Sequence, residues 1–216
     1  MSMNFDFLVK TRINLLKMLK HRNIDVSKYE NFNQDEIEKM LRQSLLDKSF
    51  ITPEIGPLDM ILKNRHGSIT YVKYRLDKIK TARAIESFIE QIYKTQLKSN
   101  DRLILIAHEK INIPGSSFET MLNNFYNQKG YYVQIISLNQ LHINIVDHCD
   151  VPHHEVISEQ QKKELLEKYY IKDINLPVIL RDDAMARYLG MIPGEVVRIL
   201  RPSPTSGTYE TYRICV

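Results

Sequence analysis

Seven glycines in 216 residues leave little material for loops that cradle phosphates, since close backbone approach to an anion favours residues without a Cβ. No Gly-x-Gly-x-x-Gly fingerprint, Walker loop or Gly-x-Ser-x-Gly elbow occurs, which argues against nucleotide-binding and serine-hydrolase chemistry. Only two cysteines, Cys149 and Cys215, are present. That is too few for a disulfide framework and points to a reducing compartment. No apolar run approaches the roughly 18 to 20 residues that a membrane helix needs. The first segment is interrupted by Asp6, Lys10, Arg12, Lys17 and Lys20, where a secretory signal needs an unbroken apolar core. Repeats and low-complexity tracts are also missing. The expectation is a soluble intracellular protein with no membrane partner.

What is present is unevenly charged. Residues 1–146 hold 21 Lys/Arg against 15 Asp/Glu, and residues 147–216 hold 9 against 11. A basic first part and a slightly acidic second part suggest two regions with different partners.

Periodicity divides the chain in the same way. Phe5, Leu8, Val9, Ile13, Leu16 and Leu19 recur at helical spacing. A second amphipathic helix starts after an Asn33 cap, with acids in its first turn. The stretch "LDMILKNRHGSITYVKYRL" reads as a β-hairpin around an "NRHG" turn. Next come a helix carrying Ala84, Ile85, Phe88, Ile89, Ile92 and Tyr93, the apolar strand "RLILIAHE", a helix closed by Gly130, and the strand "YYVQIIS". Alternating helices and strands predict a layered α/β unit. After Asn144 a Ser158/Gln161 capping box opens another helix. Asp183 or Asp182 caps the short helix "AMARYL", which Gly190 ends. The strands "EVVRILRP" and "TYETYRICV" flank the "SPTSG" loop.

Three sets of residues could carry chemistry. The first is "HINIVDHCDVPHHE", residues 142–155. Structural zinc takes four N or S ligands, usually in closely spaced pairs, and here only Cys149 offers a thiolate. His142, His148 and His154 share one face of an extended chain, but successive members lie about 20 Å apart. No metal site is expected. The second set is Asp59 and Lys73, two parts of a Mg²⁺-dependent nuclease centre. Its third part, an acid two residues before the lysine, is replaced by Tyr71, which cannot bind Mg²⁺ as a carboxylate does. The third set is basic: Lys63, Arg65, His66, Lys73, Arg75, Lys78, Lys80 and Arg83, which could meet phosphates without reading sequence.

The last seventy residues resemble a known family. His148, Val151, Pro152 and His154 form a His-x₂-Val-Pro-x-His element. Leu176-Pro177, Asp183 with Arg187-Tyr188 and Gly190, and Gly194 with Val196-Val197 follow in order. The most specific part is Arg201-Pro202-Ser203 with Gly207 and Tyr212-Arg213. Together they are similar to the assembly domain of the fifth-largest subunit of eukaryotic RNA polymerases, a domain that stands alone in the archaeal members of the family. Larger family members add an N-terminal jaw domain whose order of elements this chain repeats. Where the family's jaw loop carries a Thr-Pro-Ser-Ala-like stretch, this sequence reads Ile113-Pro114-Gly115-Ser116.

The resemblance implies two domains. Residues 1–143 would be an α/β jaw, restriction-endonuclease-like and inactive, and residues 144–216 a small α+β assembly domain. It implies a non-catalytic polymerase subunit with no active site, metal or cofactor of its own. The partners would be the largest subunit, the other subunits and downstream duplex DNA met without sequence reading, with no self-association. Pro152, His154, Arg187, Tyr188, Gly190, Arg201, Pro202, Ser203, Gly207, Tyr212 and Arg213 would form the partner interface. Pro114, Gly115, Ser116 and Ser117 would lie near DNA. The location would be the nucleus for a cellular enzyme, and host cytoplasm or virion for a viral one, since the Ile, Asn and Lys usage fits either an AT-rich eukaryote or a large DNA virus. The alternatives from other classes are a Mg²⁺-dependent nuclease using Asp59 and Lys73, and a zinc-binding adaptor.

Overall fold

A computed structural model describes residues 5–63, 68–77, 81–108, 116–203 and 207–216. The chain divides into two compact units, residues 1–143 and 144–216. Both are mixed α/β, each built on its own four-stranded sheet.

The first unit opens with α1 (Phe5–His21), α2 (Ser27–Glu30) and α3 (Gln34–Leu46). Asn33 stands at the N-cap of α3 as expected, and Glu36 completes a capping box there, with the Asn33 amide donating to Glu36 Oε2 at 2.8 Å. Strand β1 (Met60–Lys63) pairs antiparallel with β2 (Ile69–Arg75), as the hairpin pattern predicted. The expected turn residues, 64–67, lie outside the described residues. α4 (Ala82–Thr95) then leads to β3 (Arg102–Ala107), and α5 (Ser117–Lys129) to β4 (Tyr132–Ser137). β2, β3 and β4 run parallel in the order β1-β2-β3-β4. Gly130 ends α5 at φ 66°, a conformation that penalises a Cβ.

Alternation along the strands decides which face is covered by what. Tyr71, Leu103, Leu105, Val133 and Ile135 join Ile85, Phe88, Ile89 and Ile92 of α4 and Leu122 and Phe125 of α5 in one core. On α1 the buried stripe is not quite the one the spacing suggested. Ile13 is half exposed, whereas Arg12 is buried and donates to the Leu58 carbonyl at 2.9 Å. The Arg12 guanidinium also lies 6.0 Å from the Tyr74 ring centre, so α1 meets the sheet on the even-numbered side of β2. The short helix α6 (Leu138–Leu141) packs against α1, and Asn14 donates to the Leu141 and His142 carbonyls at 2.8 and 3.1 Å.

The second unit starts with a 3-10 turn at Ile145–Asp147, followed by β5 (His153–Val156), α7 (Glu159–Tyr169), a second 3-10 turn (Asp173–Asn175), β6 (Val178–Ile179), α8 (Ala184–Leu189), β7 (Val196–Ser203) and β8 (Gly207–Cys215). Both predicted caps form. Gln161 N donates to Ser158 Oγ at 3.2 Å, and Met185 N to Asp183 Oδ1 at 2.8 Å. The sheet order is β5-β7-β8-β6, antiparallel except for the β6–β8 pair. Val197, Ile199 and Cys215 pack beside Ala186 and Met191, while Val196 and Ile214 pack beside Leu165 and Leu176. One face of this sheet therefore carries α8 and the other α7.

Candidate partner interface

Asp59 and Lys73 are brought together, but not as an active site. Lys73 Nζ lies 2.7 Å from Asp59 Oδ2, and both side chains are almost wholly removed from solvent. The same oxygen accepts from Tyr71 OH at 3.1 Å and from the Gly56 amide at 2.6 Å. Asp59 Oδ1 accepts from Tyr74 N at 2.9 Å, and the Glu54 carbonyl takes a further Lys73 bond. Burial pushes the Asp59 carboxyl above its usual range, while the Lys73 ammonium and the Tyr74 and Gly56 amides pull it back. Burial and the nearby carboxylate push the Tyr71 phenol upward. Each Asp59 oxygen already has protein donors, and neither charged group faces water. The arrangement is a buried cross-brace, with its carboxylate turned to the Lys73 ammonium and away from solvent.

The basic set separates for the same reason. Lys73 is consumed by this brace. Arg75 is buried, donates to Asp77 Oδ1 at 3.0 Å and stacks 4.4 Å above the Phe88 ring. Neither is available to phosphate, which corrects the expectation for these two. Lys63 and Arg83 are exposed, and Arg65, His66, Lys78 and Lys80 fall outside the described residues. Of the four DNA-proximal candidates, Pro114 and Gly115 also fall outside them. Ser116 stands at the N-cap of α5 and Ser117 begins the helix.

In the second unit, register sorts the interface candidates. Arg201 faces Tyr209, Pro202 faces Thr208, Ser203 faces Gly207, Arg198 faces Tyr212 and Val197 faces Arg213. His154 pairs with Ile199 and Glu155 with Arg198. Because residues two apart share a face, His154, Arg201, Tyr209 and Arg213 lie on the α8 side. Glu155, Arg198, Glu210 and Tyr212 lie on the α7 side. There Arg198 Nη2 meets Glu155 Oε2 at 2.6 Å, Arg198 Nη1 is 3.9 Å from Glu210 Oε1, and Tyr212 OH donates to Glu210 at 3.0 Å.

Arg201 and Pro202 are exposed, as is Gly207, which takes φ 71° where the second strand begins. Arg213 is half-buried and donates to the Val178 carbonyl at 3.1 Å, tying the two-residue strand β6 to β8. Pro152, His154, Arg187, Ser203 and Tyr212 are half-buried. Tyr188 is buried inside the unit, and Gly190 is buried at the left-handed end of α8, φ 68°. Their surfaces are spent on internal packing and helix termination. Burial lowers the His154 imidazole below its ordinary value, while its 2.7 Å contact with the Pro152 carbonyl raises it. A carbonyl only accepts, so in the neutral ring Nδ1 carries the proton and Nε2 is the free acceptor.

Two exposed features are not readable from the sequence. Tyr209 stands opposite Arg201, more than half exposed, and only the register makes them neighbours. Tyr170 and Ile174 are 96% and 89% exposed, followed by exposed Val178 and Leu180. The "YYIKDINLPVIL" run gives no hint of this, because apolar letters ordinarily signal core.

Comparison with known proteins places these residues in a family. Over 209 residues the chain is 28% identical to the subunit rpabc1 of DNA-directed RNA polymerases I, II and III from Dictyostelium discoideum, with 97% of each chain covered. The RPABC1 subunit of Caenorhabditis elegans is 48% identical over 77 residues, 36% of each chain. The family described as RNA polymerase Rpb5, C-terminal domain, matches residues 143–215. DNA-directed RNA polymerase subunit Rpo5 of Pyrococcus abyssi is 47% identical over 73 residues, 34% of this chain and 89% of the archaeal one. The chain belongs to the Rpb5 family. The Rpb5 match spans β5 to β8 and with them Arg201, Pro202, Tyr209 and Arg213. Asp59 and Lys73 lie outside it, and their closed geometry lends no support to a nuclease.

Proposed function

We propose that this protein is a non-catalytic subunit of a multisubunit DNA-dependent RNA polymerase. Residues 144–216 dock on the largest subunit and residues 1–143 form part of the jaw beside downstream duplex DNA. The observation that carries the reading is the family match of the second unit, the very unit whose β7–β8 hairpin holds Arg201 and Tyr209 out to solvent. Arg201 and Arg213 offer charge-assisted hydrogen bonds to partner carbonyls or carboxylates. Tyr209 offers an aromatic anchor. Exposed Tyr170, Ile174, Val178 and Leu180 supply apolar surface of the kind that partners cover.

In the first unit, the mixed sheet with an Asp59–Lys73 pair and a tyrosine in the third position supports a restriction-endonuclease-like jaw without activity. Pro114, Gly115, Ser116 and Ser117 are the segment we assign beside DNA, contacting phosphates independently of sequence. The subunit works as one copy per complex, without a metal or cofactor for transcription. Its place is the nucleus for a cellular polymerase, as the naming of the Dictyostelium relative after polymerases I, II and III supports, and host cytoplasm or virion for a viral one.

The test is purification of the tagged protein from its own cells at high salt. Co-recovery of the large polymerase subunits is expected, and recovery without them would refute the assignment. Incubation with DNA and Mg²⁺ is expected to leave the DNA intact; cleavage abolished by Asp59→Ala would establish the nuclease instead.

A further inference from the structure

Between residues 142 and 152 the chain does not run as a continuous strand, so the wide spacing of an extended strand does not apply there. The 3-10 turn at Ile145–Asp147 runs into a second turn, in which Val151 N donates to the His148 carbonyl at 3.1 Å. This curls three consecutive potential ligands toward one point. One donor atom each from His148, Cys149 and Asp150 lies within 4.8 Å of the other two, and all three side chains are exposed. His148 Nδ1 is 3.7 Å from Asp150 Oδ2, and Cys149 Sγ is 3.8 Å from Asp150 Oδ1.

These separations can be compared with a coordination polyhedron. Zinc bonds of about 2.3 Å to sulfur and 2.0–2.2 Å to nitrogen or oxygen put the edges of a tetrahedron at roughly 3.3–3.6 Å. Each of the two separations exceeds this by a few tenths of an ångström, but they end on different Asp150 oxygens. Rotation of the exposed side chains must bring one of those oxygens to serve both, starting from donor atoms within 4.8 Å of one another. The imidazole nitrogen facing the carboxylate is also in acceptor form, since Nδ1 takes the Asp150 amide at 3.3 Å. A metal would take that lone pair by displacing the exposed Asp150 amide from it.

The geometry points to a divalent metal site of the zinc class at His148, Cys149 and Asp150, three-coordinate from protein with a fourth position open to water. The donor set of one thiolate, one imidazole and one carboxylate suits Zn²⁺ and Co²⁺ better than Mg²⁺ or Ca²⁺, which take all-oxygen shells. Binding forms the metal–sulfur bond as the Cys149 S–H bond breaks, its proton leaving to solvent, so affinity falls as the pH is lowered. The ion ties the turn that leads into β5.

The probe is Co²⁺, added to the reduced, chelator-stripped full-length protein carrying no histidine tag. A thiolate-to-cobalt charge-transfer band in the near ultraviolet, with d–d bands of four-coordinate intensity, is expected to saturate at one equivalent and to be displaced by Zn²⁺. Cys149→Ser should abolish the charge-transfer band. His148→Ala and Asp150→Asn should each weaken binding at least about tenfold, and His153→Ala should leave it unchanged. All four positions are exposed, so the variants fold, and their unchanged metal-free melting temperatures would verify this. Absence of the band at tenfold excess of Co²⁺, or its persistence in Cys149→Ser, would overturn the site.

Discussion

The Tyr71 hydroxyl donates to Asp59 Oδ2 across 3.1 Å, onto the same oxygen that holds the Lys73 ammonium at 2.7 Å. A second carboxylate in place of the tyrosine would face Asp59 inside a closed pocket, where two like charges cannot both ionise. The phenol supplies a donor instead, and the trio becomes a neutral-sum structural brace.

Removing one half of that brace should show how its two ends differ. Asp59→Ala leaves a buried ammonium without a counter-charge and should cost about 3–5 kcal/mol. Lys73→Met leaves a carboxyl still served by Tyr71, Gly56 and Tyr74, and should cost distinctly less. Urea unfolding of the two variants decides the ranking, and equal losses would contradict it.

His154 makes the second unit sensitive to acid. Burial lowers its imidazole, Arg201 and His153 push the same way, and the Pro152 carbonyl and Asp183 act against them. A histidine depressed in the folded state leaves the unfolded chain binding the extra proton. Its contribution is complete above the ordinary histidine value of about 6.5 and disappears as pH falls through the lower folded value. The urea midpoint of the wild type should therefore drop on acidification across that window, and His154→Gln should flatten the slope.

The two thiols should react very differently. Cys149 is exposed, whereas burial beside Glu195 pushes the Cys215 thiol up to about 11. At pH 8 such a thiol is ionised in roughly one molecule per thousand, and the thiolate is the nucleophile. Mass spectrometry after brief iodoacetamide treatment should find one adduct, on Cys149, with Cys215 modified only in urea. Added Zn²⁺ should slow the Cys149 reaction if the site described above is occupied.

Arg201 offers a test of docking that spares the fold. Its side chain is exposed and lies two pairs before the Ser203–Gly207 end of the hairpin, so Arg201→Glu should leave the melting temperature within about 1 °C. Recovery of large polymerase subunits in a pull-down should nonetheless fall by about tenfold or more. Arg213→Ala, which also loses the Val178 bond, should lower both.

Much of the fold is legible because it is local. Asn33 with Glu36, Ser158 with Gln161, and Gly130 each announce a helix end within four residues. The brace is half legible: Asp59, Lys73 and the odd Tyr71 stand out, but its closure needs Glu54 and Gly56 from a loop that has no periodicity. Arg12 reads as solvent-facing since its acceptor, Leu58, lies 46 residues away. β6 is two residues long behind Pro177, too short for any alternation to register. At residues 145–151 parity fails as a guide because turns, unlike strands, gather neighbours onto one side.

The Asn14 clasp on the Leu141 and His142 carbonyls spans 127 residues. On the ribosome, that separation becomes a delay. α1 emerges with Leu8, Leu15 and Leu19 uncovered, and the segment that receives it is still unmade. At synthesis rates of about 5–20 residues per second the wait is roughly 6–25 seconds, long enough for a nascent-chain chaperone to be the helix's first companion.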